Sequence, residues 1–225
     1  MSEENSSKKT ARIGWVASLL FGSPWLEMIA EAWKIGRKLW RGLANEGIYE
    51  VLEYNLIYEL KDNKGKKAHF HKQEKVRYVQ DNIVRYRDQA WGDGKILQNY
   101  RCSPGVKADE YKLGHKTIIL ISLREMKRRG DVDEFNIEWD LSNTFLNASE
   151  YCEAEISHRT NQLSMQVIFP KSRPPLKASI FENTRRKSRP LSGEEIQKLP
   201  DGRWRIRWET DRPRLYERYI LKWDW

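Results

Sequence analysis

The spacing of apolar residues changes sharply near Gly47. Before it, apolar positions recur every three or four residues, which is the period of an α-helix. After it, apolar and polar residues alternate, which is typical of a β-strand with one buried face. We therefore predict a disordered tail over residues 1–14, an amphipathic helical segment over 15–46 and a β domain over 47–225.

The helical segment has a well-marked start and a broad apolar face. Ser23 is a good helix cap, and Pro24 suits the first helical position. The apolar face that follows consists of Leu26, Ile29, Trp33, Gly36, Trp40 and Leu43. Lysine and arginine on the opposite side make the helix basic. Three occupants of the apolar face remain open: the β domain, a partner protein or second copy, and a membrane surface.

The alternating segments after Gly47 predict roughly eight to ten strands with a single long helix before them. The turn Asp62-Asn63-Lys64-Gly65 joins the first two strands as a hairpin. Residues 117–123 are nearly all β-branched or Leu and do not alternate, which predicts a central strand buried on both faces. Residues 183–200 combine basic residues with Pro and Gly, and predict a long loop. The predicted fold class is mainly β, an antiparallel β-sandwich or barrel-like domain preceded by one amphipathic α-helix.

Composition fits a folded protein in a reducing compartment. Ten Trp, ten Tyr and six Phe in 225 residues are enough for a core. Two cysteines far apart in the sequence predict free thiols rather than a disulfide framework. No apolar run approaches the roughly 20 residues that a membrane-spanning helix needs. We therefore expect a cytoplasmic protein without a secretory signal or transmembrane segment.

The net charge of +9 is concentrated at the two ends of the chain, where an acidic partner would dock most readily. Near the C-terminus, Arg203, Arg205 and Arg207 share one face of a predicted strand. The preceding loop adds a basic cluster of Arg185, Arg186, Lys187 and Arg189. Such a surface can follow the phosphates of a nucleic acid. The alternative is a solvated outer face whose arginines pair with Glu138, Asp140 or Glu209.

Residues that could carry chemistry are few. His69 and His71 point to one side of a strand, as a metal site requires, but several lysines surround them. Cys152 and His158 are too far apart on an extended strand to act as a nucleophile and base. We predict no metal, no cofactor and no enzymatic activity.

The sequence favours a non-enzymatic binding or adaptor module that recognises a protein or a small ligand. In this hypothesis the N-terminal helix serves for docking or self-association. Two alternatives remain: a nucleic-acid-binding domain that uses the basic C-terminal face, and a peripheral membrane protein anchored by Trp33 and Trp40 of the basic helix.

Overall fold

The structure, a computed structural model, describes residues 47–225, which form fourteen β-strands and one 3₁₀ turn at Gly193–Glu195. The strands are β1 (Tyr49–Leu60), β2 (Lys67–Tyr78), β3 (Ile83–Ala90), β4 (Lys95–Ser103), β5 (Val106–Leu113), β6 (Lys116–Lys127), β7 (Val132–Ser142), β8 (Ser149–Glu155), β9 (Gln162–Phe169), β10 (Lys177–Glu182), β11 (Lys187–Leu191), β12 (Ile196–Lys198), β13 (Trp204–Asp211) and β14 (Arg218–Asp224).

The strands form three sheets. The largest has seven strands in the order β12-β13-β9-β1-β2-β7-β4, and the others have the orders β11-β10-β14-β8 and β3-β6-β5. All pairs are antiparallel except β1 with β9, which run parallel. The prediction of a mainly β domain is confirmed, and the sheets of residues 47–225 do not close into a barrel. The predicted helix over 15–46 lies outside the described residues.

Both smaller sheets pack on the same face of the seven-stranded sheet. In the register of β1, β2, β7 and β9, Phe135 and Phe169 project from one face. Phe135 stacks on Tyr86 of β3 with ring centroids 3.8 Å apart. Phe169 meets Trp223 of β14 at 5.8 Å. One continuous core therefore connects the three sheets.

The inward face of β1 changes phase near its start. Alternation predicts Leu52 inside, but the register with β2 shifts between Val51 and Glu53, so Leu52 is the extra residue of a bulge. Val51 is buried and Leu52 is half-buried. A bulge inverts the alternation of a strand. The pattern after the bulge therefore does not predict which residues before it point into the core.

The segment predicted as a loop, 183–200, contains β11, the 3₁₀ turn and β12. Strand β5 also lacks an alternating signal because all its residues are exposed at a sheet edge. The predicted central strand is confirmed in β6, which lies between β3 and β5 and buries Ile118, Ile119 and Ile121. Within residues 47–225, no helix is long and apolar enough to cross a membrane.

Candidate functional site

A cavity of about 350 Å³ lies where the three sheets meet. Its walls come from the inner face of β1, β2 and β7, from the end of β3 and the turn after it, and from β8 with the start of β14. It is lined by Tyr54, Leu56, Tyr58, Phe70, Lys72, Gln89, Ala90, Trp91, Gly92, Asp93, His115, Trp139, Leu141, Thr144, Phe145, Glu150, Tyr151, Cys152, Glu153 and Arg218. Its volume falls at the lower end of the range for small-molecule sites, roughly 300–1,000 Å³.

One wall of the cavity is a continuous group of aromatic rings. The ring centroids of Tyr58 and Phe70 are 4.7 Å apart, and those of Phe70 and Trp139 are 4.0 Å apart. Phe145 meets Tyr58 edge-on at 6.0 Å. Cross-strand pairing explains the group, because Tyr58, Phe70 and Trp139 are register partners on β1, β2 and β7.

Burial raises the pKa of the Tyr58 hydroxyl well above its usual value, and it raises that of Tyr54 as well. Both phenols therefore stay protonated across the physiological range. Neither hydroxyl has a hydrogen-bond partner among residues 47–225. The wall thus offers polar atoms to a molecule in the cavity.

Lys72 reaches the cavity from a buried cluster of charges. Its Nζ donates to Asp88 Oδ1 at 2.6 Å and to the Tyr86 hydroxyl at 3.1 Å, and lies 3.1 Å from Glu74 Oε2. The Tyr86 hydroxyl in turn donates to Glu74 at 2.7 Å, and Tyr100 donates to Asp88 at 3.0 Å. Two hydrogen bonds and two neighbouring carboxylates therefore hold the Lys72 ammonium group in place.

Lys72 and Cys152, the amine and the thiol that line the cavity, are held in unreactive forms. Desolvation lowers the pKa of Lys72, but Asp88 and Glu74 outweigh it and hold that pKa well above its usual value. Burial raises the pKa of the Cys152 thiol far above its usual value. Nucleophilic attack requires a neutral amine or a thiolate, and this environment disfavours both.

Glu150 is the buried acid of the cavity, with 9% of its surface exposed. Its Oε1 accepts hydrogen bonds from the backbone N and the Nδ2 of Asn147, at 2.7 Å and 3.0 Å. Its Oε2 has no partner among residues 47–225, and this oxygen is not fully enclosed by protein atoms. No cation of the described residues forms an ion pair with this carboxylate.

The rim connects the two smaller sheets through charged and aromatic groups. Trp91 donates its indole N–H to Glu153, and Arg218 Nη1 lies 3.6 Å from Glu153 Oε2. Lys116 pairs with Glu155, and its Nζ lies 4.8 Å from the centroid of the Trp91 ring. The charged groups at the rim are therefore largely paired with each other.

The predicted arginine row lies on the outer face of the seven-stranded sheet, away from the cavity. Arg203 pairs with Glu59 and Asp201, each at 2.6 Å. Arg205 donates to Gln197 at 2.7 Å, and Arg207 donates to Glu209 at 2.7 Å. Of the predicted acidic partners, Glu209 is confirmed, whereas Glu138 and Asp140 contact His69 instead.

The second basic cluster belongs to another sheet. Arg185 and Arg186 lie in the turn between β10 and β11, and Lys187 and Arg189 lie on β11. All four are exposed, and Arg189 pairs with Glu195 at 2.6 Å. The fold therefore places the two basic groups in different sheets instead of one continuous strip.

The histidine pair lies on the outer face of β2. His69 lies between Asp140, at 2.8 Å from Nδ1, and Glu138, at 3.3 Å from Nε2. Arg101 also pairs with Glu138. Residues 47–225 contain no group of three or more His, Cys, Asp or Glu side chains that could hold a metal ion.

The sequence analysis missed the buried charged residues in and beside the cavity although a signal was present. Lys72 and Glu74 fall in phase with the buried Phe70 and Val76 on β2. Glu150 likewise falls in phase with the buried Cys152 on β8. A charged residue in the apolar phase of a strand indicates a buried charge, which needs a partner or a functional reason.

No protein-family model matches the chain, and neither does any curated protein. Among solved structures, the chain is similar to a crystal structure described as a "putative protease" from Parabacteroides distasonis. The two are 7% identical, with a TM-score of 0.48, over 79% of this chain and 40% of that one. The chain thus spans less than half the length of that structure.

Proposed function

We propose that residues 47–225 act as a β-sandwich binding module that holds a small molecule in the cavity between its three sheets. The observation that carries this proposal is the combination of an aromatic wall with polar atoms that have no partner, namely the hydroxyls of Tyr54 and Tyr58 and Oε2 of Glu150. Small-molecule sites commonly combine apolar walls with a few polar groups that orient the ligand.

Binding fits the chemistry of the cavity better than catalysis does. Asp88 and Glu74 keep Lys72 in its ammonium form, and burial keeps the Cys152 thiol protonated. Neither group has the lowered pKa that activates a nucleophile, since the pKa values of both are raised. The proposed role is therefore recognition, without a covalent step.

A bulky side chain at the edge of the cavity tests whether the cavity is the binding site. Thr144 is half-buried in the loop after β7, so Thr144→Trp should add bulk at the cavity without disrupting a strand. Saturation-transfer NMR with 2-phenylethanol, phenethylammonium and phenylacetate should show binding of at least one probe to the parent protein. Thr144→Trp should abolish that binding.

Ser188→Trp is the matched control, because Ser188 is exposed on β11 in another part of the protein and lines no part of the cavity. It should bind the probes as the parent does. If Thr144→Trp remained folded and bound them equally well, the ligand would lie elsewhere and the proposal would be wrong.

The same proposal assigns the segment over 15–46 to docking or self-association, which makes the whole chain an adaptor. Its support is the apolar face of the sequence, from Leu26 to Leu43. Trp33→Glu should lower the melting temperature or dissociate an oligomer, whereas Lys34→Glu on the polar side should do neither. An unchanged melting curve with lost binding to liposomes would favour the membrane alternative.

A further inference from the structure

We infer that the ligand of the cavity is a small organic cation, with an ammonium group at Glu150 and its apolar part against the aromatic wall. This inference rests on the proposed function and adds the chemical class of the ligand. Three observations support it: the charged residues that line the cavity, the absence of a counter-charge for one of them, and the aromatic character of the wall.

The strongest indication is the carboxylate of Glu150. A charged carboxylate that is nine-tenths buried is expected to be paired, since desolvation of an unpaired charge is costly. Glu150 lines the cavity and accepts hydrogen bonds only on Oε1, from the backbone and side-chain amides of Asn147, whereas its Oε2 has no partner among the described residues and is not fully enclosed. An ammonium group would supply both the missing counter-charge and a hydrogen-bond donor.

The cations that line the cavity do not provide that counter-charge, nor do they favour an anionic ligand. The charge of Lys72 is balanced by Asp88 and Glu74, at 2.6 Å and 3.1 Å from its Nζ. Arg218 is paired with Glu153 at the rim. The lining therefore has an excess of carboxylates within a protein of net charge +9, so the cavity differs in sign from the whole molecule.

The wall fits an organic cation better than a metal ion. Tyr58, Phe70 and Trp139 present adjoining rings, and ring faces attract cations while also covering alkyl or aromatic groups. The protein already uses this contact nearby, since the Lys72 Nζ lies 5.8 Å from the centroid of the Tyr54 ring. A metal ion would require several oxygen or nitrogen ligands, and the described residues contain no such group.

Three probes of similar size but different charge test the class of ligand. Phenethylammonium should bind at least about ten-fold more tightly than neutral 2-phenylethanol, in line with a charge-assisted hydrogen bond, and phenylacetate should bind least. The dissociation constants are measured by isothermal titration calorimetry, or by NMR titration where binding is weak.

Glu150→Gln isolates the contribution of Oε2. The glutamine oxygen can still accept both hydrogen bonds from Asn147, so the loop should keep its structure. This variant should lose about ten-fold in affinity for phenethylammonium and bind 2-phenylethanol as the parent does. Glu209→Gln, on the outer face of the sheet, makes the same change of charge and should alter neither affinity.

The possible failures can be told apart. If 2-phenylethanol or phenylacetate bound as tightly as phenethylammonium, and Thr144→Trp blocked that binding, the cavity would be a ligand site but the cationic class would be wrong. If no probe bound to the parent protein, both this inference and the proposed function would be wrong. The comparison of probes on the parent protein needs no variant, so it remains decisive even if Glu150→Gln does not fold.

Discussion

Lys72 on β2 and Asp88 on β3 are joined by a contact of 2.6 Å between Nζ and Oδ1, with 7% and 0% of their side chains exposed. The two strands belong to different sheets, so this ion pair is a polar connection between the seven-stranded and the three-stranded sheet. The connection also forms one end of the candidate ligand cavity, because Lys72 lines it. Packing of the sheets and shape of the site are therefore linked through one lysine.

Replacing Lys72 by methionine should strongly destabilise the protein. The change preserves most of the side-chain volume but leaves Asp88 and Glu74 buried without a counter-charge, which typically costs about 3–5 kcal/mol. Urea unfolding at neutral pH measures the effect. Lys75→Met is the control, because Lys75 lies on the same strand with 40% of its side chain exposed and pairs with Glu53 at 3.7 Å. The control should cost under about 1 kcal/mol, and equal costs for both variants would contradict the role of the buried pair.

The Asp62 carboxylate should stabilise the folded state at neutral pH, and this stabilisation should be lost at acid pH. Desolvation raises its pKa, but the backbone N–H groups of Lys64, Lys66 and Lys67 outweigh it and lower that pKa below its usual 3.8. The native state then binds fewer protons than the unfolded chain, so the stabilisation is present above pH 3.8 and is lost as the pH falls through the lower native pKa.

Asp62→Asn should therefore be less stable than the parent at pH 6, and the difference should shrink as the pH falls below 3.8. Urea unfolding as a function of pH checks this. Asp211→Asn serves as the control, because the Asp211 carboxylate is exposed and accepts no hydrogen bond among the described residues. A difference for Asp62→Asn that stayed constant down to acid pH would argue against the hydrogen-bonded turn.

Gly65 should tolerate no side chain. Its φ is +67°, and an added Cβ would lie 1.5 Å from the carbonyl oxygen of Phe145, a residue of the cavity wall. Gly114 has a similar φ of +61° with nothing within 4 Å of such a Cβ. Gly114→Ala should cost only the backbone strain, roughly 1–2 kcal/mol, and Gly65→Ala should exceed it by at least about 2 kcal/mol. Similar melting temperatures for the two variants would show that the clash is relieved cheaply.

The arginine row should not bind nucleic acid. Arg203 and Arg207 are already paired with acidic residues, and Arg205 is bonded to Gln197. Replacing Arg203, Arg205 and Arg207 together by glutamine should change stability by no more than about 1–2 kcal/mol, because the ion pairs of Arg203 and Arg207 are at least partly exposed and Arg205 bonds only to the neutral Gln197. Mobility-shift titrations at two salt concentrations should give the same result for the parent and the triple variant. The nucleic-acid hypothesis would be restored by saturable binding to the parent. In that case the slope of log K against log salt concentration should decrease in magnitude by about 0.7–0.9 for each arginine removed.

Local pattern was sufficient to predict most of the strands. The alternation of 135–141 and 203–208 predicts β7 and β13, and the side chain of Asp62 forms the predicted hairpin turn. These features depend on residues close in sequence, since alternation has a period of two and a turn needs only a few residues. The sequence also separates this β region from the helical pattern before Gly47.

Tertiary structure alone decided which strands meet and what lies between them. The parallel pairing of β1 with β9 brings together segments about a hundred residues apart, and no local period specifies it. The cavity depends on the same long-range contacts, because Tyr58, Trp91 and Glu150 come from three different sheets or their connections. The sequence marks Lys72, Glu74 and Glu150 as charges in buried phases, but whether each finds a partner depends on strands elsewhere in the chain. Lys72 and Glu74 meet Asp88 and Tyr86, whereas Glu150 keeps one oxygen free because no cation of the described residues lies beside it.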